Sequence, residues 1–147
     1  MSILNGGCLC GSVRYTVVVP PKSVSLCHCL NCRKQSGSNR SMNWLVPVDD
    51  LMITGELSTY RDTGDSGKPV LRQFCGQCGS PIRTLAEALP GLAVLKAGTL
   101  DEASPVPPNY ALYTVRAAFW ETQGLSCATF ERMPTPPSAA SALSSGE

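Results

Sequence analysis

Seven of the eight cysteines in this 147-residue chain fall into three tight groups. Cys8 and Cys10 form a C-x-C, Cys27, Cys29 and Cys32 a C-x-C-x-x-C, and Cys75 and Cys78 a C-x-x-C. At such spacings one turn can offer two or three soft donors to one ion, and zinc is the metal that such sets suit. In a reducing compartment, closely spaced cysteines read as metal ligands or redox thiols before they read as disulfides.

The groups differ in the residue after their last cysteine. Gly11 and Gly79 come directly after Cys10 and Cys78, where a tight turn would aim backbone amides at sulfur and needs a residue free to adopt positive φ. Two such units pinched together supply Cys8, Cys10, Cys75 and Cys78, the four thiolates of a closed structural zinc site. The triplet is succeeded by Arg33 instead. Cys27, Cys29 and Cys32 would give three thiolates and leave one coordination position, the arrangement of a catalytic zinc. Two zinc ions per chain are therefore expected. The rival is that Cys127 closes the second site from within. It stands alone in "GLSCATF", and a cysteine in such company reads more simply as a packed residue. His28 lies between two ligands. Neighbouring side chains of an extended stretch point opposite ways, so His28 should face away from the metal and serve packing or hydrogen bonding.

Three thiolates make a zinc ion a poor Lewis acid, which argues against hydrolysis through a bound hydroxide. The open position suits a fourth sulfur from outside. A substrate thiol there would deprotonate near neutrality and could add to an aldehyde carbon. Run backward, the same site breaks a carbon–sulfur bond. Arg33 and Lys34 could offset negative charge or hold a substrate carboxylate, although for either one ordinary surface charge is the better reading. Tyr60, Tyr110, His28 and Ser36 are all candidates for the proton donor. Two other readings compete: a non-catalytic zinc module that binds proteins, and a metal-free redox cluster, in which a cysteine beside Arg33 should oxidise readily.

The elements that must carry these groups are strands. "SVRYTVVV" from Ser12 to Val19 alternates as a half-buried strand. Further β character lies at 43–48, 51–54, 57–61, 70–74, 92–98 and 109–115, separated by glycine and proline punctuation. Helix is expected only as a short piece from Leu30 to Gln35 and a turn from Ala117 to Gln123. The pattern is that of an all-β domain over residues 1–132. The proline- and serine-rich stretch over 133–147 reads as a disordered tail. Charged residues are sparse at 16%, the net charge is +1, and no basic run suggests nucleic acid as a partner. No apolar run reaches the roughly 20 residues of a membrane span. The start, MSILNGGCLC, lacks the pattern of a secretory signal, so a cytoplasmic or nuclear location is expected.

Taken together, "GGCLCGSVRY", "CHCLNCRKQSG", "RQFCGQCGSPI", "LKAGTLD" and Trp120 resemble the family of glutathione-dependent formaldehyde-activating enzymes and centromere protein V. The resemblance implies a complex fold of coiled antiparallel β-sheets, similar to a zinc-binding Rab accessory protein. It implies structural zinc on Cys8, Cys10, Cys75 and Cys78, and catalytic zinc on Cys27, Cys29 and Cys32. It also implies a carbon–sulfur lyase that joins glutathione to formaldehyde. Two segments depart from the family's habit. Ser38-Asn39-Arg40 stands where an alanine and an aromatic residue are common, and Tyr110 stands where a histidine is common.

Overall fold

A computed structural model of the protein describes residues 2–134. Most of it is β-sheet, as the alternation in the sequence predicts. Three strands, β1 (Ser2–Gly7), β2 (Arg14–Val19) and β5 (Leu51–Thr54), form a small antiparallel sheet with β2 in the middle. The larger sheet has eight strands. They are β3 (Ser23–Cys27), β4 (Ser41–Pro47), β6 (Leu57–Thr63), β7 (Pro69–Cys75), β8 (Pro81–Ala86), β9 (Leu92–Lys96), β10 (Tyr110–Leu112) and β11 (Ala128–Thr129). Their order is β11-β10-β3-β4-β9-β8-β7-β6. All its pairings are antiparallel except at one edge, where β10 runs parallel to both β3 and β11.

The two faces of the large sheet have different jobs. Val24, Trp44, Val46, Ile82, Ala93 and Leu95 pack with Val13, Tyr15, Val17 and Leu51 of the small sheet and its neighbourhood into one core. Trp44, buried completely, donates its indole N–H to the Ser104 hydroxyl at 3.1 Å, so its one polar atom is satisfied. Because strand side chains alternate, the intervening residues face the other way. The register sets Cys27 opposite Ser41, Ser25 opposite Asn43, Asn43 opposite Lys96, Val94 opposite Thr84, and Thr84 opposite Arg72. A row of polar side chains thus crosses the second face.

The single α-helix among the described residues, α1 (Leu30–Ser36), leaves β3 at the cysteine triplet. Cys29 caps it by accepting from the Cys32 amide, and Gly37 ends it in the left-handed conformation with φ of 68°. The expected turn near Ala117–Gln123 is present, with the Glu121 amide bonded to the Ala118 carbonyl. Of the expected tail over 133–147, Met133 and Pro134 line a cavity on the second sheet face; the rest lies outside the described residues.

Candidate metal centres

Cys8, Cys10, Cys75 and Cys78 converge from two turns far apart in sequence, their sulfurs all within 4.8 Å of one another. Cys8 comes just after β1, and Cys75 ends β7. Gly11, at φ of 84°, and Gly79, at 81°, close the two turns in the conformation anticipated for them. The amides of Val13 and Gln77 point back at the sulfurs of Cys8 and Cys75, at 3.2 and 3.4 Å. Four sulfurs about 2.3 Å from a zinc ion sit about 3.8 Å apart at tetrahedral angles. The Cys8–Cys10 and Cys10–Cys75 sulfur separations are 3.6 and 3.8 Å, matching that spacing, and all four sulfurs lie within 4.8 Å of one another, so this donor set suits zinc.

Two hydroxyls that the cysteine spacing alone does not point to support the cluster. Ser12 Oγ lies 3.1 Å from Cys10 Sγ and 3.2 Å from Cys75 Sγ, and Ser80 Oγ lies 3.3 Å from Cys78 Sγ. Hydrogen bonding from the Ser80 hydroxyl and amide brings the Cys78 thiol down to about 5. A signal for them exists in the sequence: Cys-Gly-Ser occurs twice, at 10–12 and 78–80.

The second cluster is built differently. Cys27 ends β3, Cys29 caps α1 and Cys32 lies in its first turn, again with all sulfurs within 4.8 Å. Among the described residues no fourth histidine, cysteine, aspartate or glutamate joins them. Cys127 sits just before β11 and belongs to neither cluster. His28 is fully buried and turned away. Its Nδ1 lies 3.3 Å from the Leu112 carbonyl oxygen, and its Nε2 faces Glu121 Oε2 at 3.4 Å. Arg40, in one of the segments that depart from the family's habit, reaches the same carboxylate oxygen at 3.4 Å.

The electrostatics of the triplet are uneven. Hydrogen bonds from Cys27 and then Cys29 pull the Cys32 thiol far down against its burial, with Lys96 and Arg72 adding to the pull. The Cys27 thiol is pushed up, chiefly by Cys29 and Cys32 and then by burial. Metal-free, the cluster favours negative charge first at Cys32.

The cations that face this cluster are not Arg33 and Lys34 but Lys96 and Arg72. Lys96 is 5% exposed, and its ammonium donates to Ser41 Oγ at 3.3 Å and Asn43 Oδ1 at 3.2 Å. No carboxylate among the described residues pairs with it. Burial pushes its pKa down and the three thiols push it back up. Arg72 pairs with Asp62 through Nε at 2.8 Å, and Asn31 Nδ2 donates to the same carboxylate at 3.0 Å. Neither cation has a local cue in the sequence, because only the register brings β7 and β9 to the triplet.

Two hollows meet here. A cavity of about 210 Å3 has Cys27 and Cys32 in its wall together with Asn43, Lys96, Tyr110 and several apolar side chains. A more polar cleft of about 340 Å3 is lined by Asn31, Lys34, Gln35, Tyr60 and Asp62. Arg72 borders both. Of the candidate proton donors, Tyr110 lines the cavity and Tyr60 the cleft, while Ser36 is occupied with the Arg33 carbonyl oxygen at 3.3 Å.

Fold and donor sets together define a mostly β protein with two clusters of thiols able to hold metal ions. The family model for glutathione-dependent formaldehyde-activating enzymes matches residues 3–116, and the chain belongs to that family. A relative from Halomonas elongata, provisionally named a glutathione-dependent formaldehyde-activating enzyme, is 33% identical over 112 residues, spanning 73% of this chain and 71% of its own. The crystal structure of a Rhodobacter sphaeroides protein superposes with a TM-score of 0.56 at 20% identity, covering 69% of this chain and 92% of that one. The last likeness is one of fold. No helix among the described residues is long and apolar enough to cross a membrane.

Proposed function

We propose that this chain is a zinc-dependent carbon–sulfur lyase that interconverts glutathione plus an aldehyde with their thiol adduct, as S-hydroxymethylglutathione synthase does with formaldehyde. In this reading Cys8, Cys10, Cys75 and Cys78 hold a structural zinc, and Cys27, Cys29 and Cys32 hold a catalytic one. Zinc on the triplet would supply an open position for the thiol sulfur and lower that thiol's pKa toward neutrality.

The observation that carries the reading is Lys96. A buried ammonium with only neutral hydrogen-bond partners costs several kcal/mol unless a negative charge faces it. The net charge of a zinc ion with three thiolates, −1, is the missing counter-charge: the three thiols favour the charged form of Lys96, against burial and the like charge of Arg72. An ammonium has three N–H donors. Ser41 and Asn43 take two. The third is free for an oxygen in the cavity, where it would favour the alkoxide that appears as sulfur adds to the carbonyl carbon. The polar cleft, with Lys34 and Arg72 at its edges, suits the charged groups of glutathione. The buried Gln35 Oε1, which has no partner, is an acceptor for one of its amides.

Zinc-edge X-ray absorption with and without glutathione tests this. A closed site and an open one average about 3.5 sulfurs per zinc, rising to about four when a thiol binds. Glutathione should also be consumed by formaldehyde faster than in buffer alone. A value already at four and unmoved by glutathione, with no consumption, would mean a zinc-held binding module instead.

A further inference from the structure

The cavity beside the triplet is far too large for a one-carbon substrate. It measures about 210 Å3. An apolar cavity of about 150 Å3 is enough to take benzene, and formaldehyde is little larger than a water molecule, whose share of liquid volume is about 30 Å3. Leu45, Val70, Ala86, Val94, Leu112 and Met133 make much of the wall. Were formaldehyde the partner, much of this space would hold water against an apolar wall.

Among the apolar side chains the wall also carries Asn43, Arg72, Thr84 and Lys96. Thr84 Oγ1 is buried and has no hydrogen-bond partner. Thr84 pairs across the sheet with Val94, and Lys96 lies two residues further along the same face of β9. A buried hydroxyl left unpaired is destabilising, and a ligand oxygen would relieve it. Cys27 and Cys32 border the same cavity, so a group seated there is in reach of a sulfur held at the triplet.

We propose that the cavity takes the hydrocarbon group of a larger aldehyde, of about six carbons, straight or aromatic, with its carbonyl oxygen at Thr84 and Lys96. The proposal rests on the lyase reading and names its electrophile. The step is a simple addition: a bond forms between thiol sulfur and carbonyl carbon, the π pair of the C=O moves to oxygen, and the thiol's proton ends on that oxygen. Nothing is oxidised or reduced.

The test is a series of straight-chain aldehydes from ethanal to hexanal, with formaldehyde beside them, assayed with glutathione and the zinc-loaded full chain. kcat/KM should rise about fourfold per added methylene, the worth of one buried CH2. Val94→Phe, which fills the cavity, should lower the hexanal-to-ethanal ratio at least tenfold, and Val94→Ala should preserve or raise it. A readout free of turnover accompanies this: saturation-transfer NMR should show 1-hexanol bound to the native chain and not to Val94→Phe. A flat or falling series, with formaldehyde consumed, would sink the larger aldehyde and leave the lyase reading standing. So would hexanol binding that Val94→Phe does not touch. No turnover of any aldehyde, formaldehyde included, would sink both.

Discussion

The two thiol clusters use the same residue type under opposite conditions. The four-cysteine cluster is pinched between two turns, its sulfurs met by amides and by Ser12 and Ser80. Neither hollow borders it, and Cys10 is exposed. The three-cysteine cluster lies on the second face of the large sheet, where strand register brings up two cations and a cavity. Complete ligation with small neutral donors is what holding a chain together requires. Three thiols beside buried charge and a largely apolar cavity are what the proposed reaction with a small molecule would use. The difference is made by the surroundings of the sulfurs, more than by their number.

The comparison breaks most visibly on paired mutants. Cys75→Ser should leave the chain unfolded, because zinc in such sites contributes about 10–16 kcal/mol, as much as the whole stability of a typical domain. Cys75 is also 1% exposed within the core. Cys29→Ser should abolish turnover yet keep the fold, since a serine oxygen can still accept from the Cys32 amide and is among the best helix caps. Circular dichroism and zinc content, one ion retained against none, separate the two. Equal unfolding of both variants would erase the distinction between a structural and a catalytic cluster.

Much of this is legible in the sequence, and the part that is not has a common cause. The strands at Leu51–Thr54 and Leu57–Thr63, the helix leaving the triplet, and the sorting of seven cysteines into two clusters all reflect local pattern. β1 escapes such a reading because its Gly6-Gly7 pair looks like a turn. The structure sets Gly6 against the ring of Tyr15, where an added Cβ would come within 2.4 Å. β3 and β8 escape it because a cysteine cluster and a proline mask their alternation. Lys96 and Arg72 carry no local mark at all. Each looks like an ordinary strand residue until pairing places Asn43 opposite Lys96 and Thr84 opposite Arg72. Arg33 and Lys34, adjacent in sequence to the triplet, are the natural choice on spacing, but Lys34 lies in the polar cleft instead.

Lys96→Met sharpens the comparison at the next level. Losing one preorganised donor to a developing oxyanion costs roughly 10²–10³ in rate, and that is the drop expected in kcat. Zinc at the four-cysteine cluster should be untouched. The stability of the metal-free chain should hold steady or rise, since an isolated buried charge has been replaced by an apolar side chain of similar length. The zinc-loaded chain should lose affinity for its second ion, because the counter-charge is gone. A Lys96→Met chain that keeps both zinc ions and full kcat would mean that the ammonium is only a buried strut. Lys96→Arg, retaining charge without the fit, should recover part of the metal affinity and little of the rate.

The smallest effect is expected one step further out, at Asp62. Burial alone would raise its pKa, but Arg72 first, then the Thr63 amide and Asn31, hold it below the ordinary carboxylate range. A depressed carboxylate contributes stability above its unfolded value of about 3.9 and loses it as pH falls through the folded value. Between pH 6 and 8 the contribution should therefore be complete and flat. Asp62→Asn should lower Tm by roughly 2–4 °C, the equivalent of about 1 kcal/mol for a pair that water still partly screens. The same change frees Arg72 at the border of cavity and cleft, so KM for glutathione should rise a few-fold while kcat stays within about twofold. Thermal melts across that pH range check the first claim and steady-state kinetics the second. A Tm difference that grows steadily from pH 8 to pH 6 would show that the carboxylate is not already ionised, and that Arg72 is held in place by something other than Asp62.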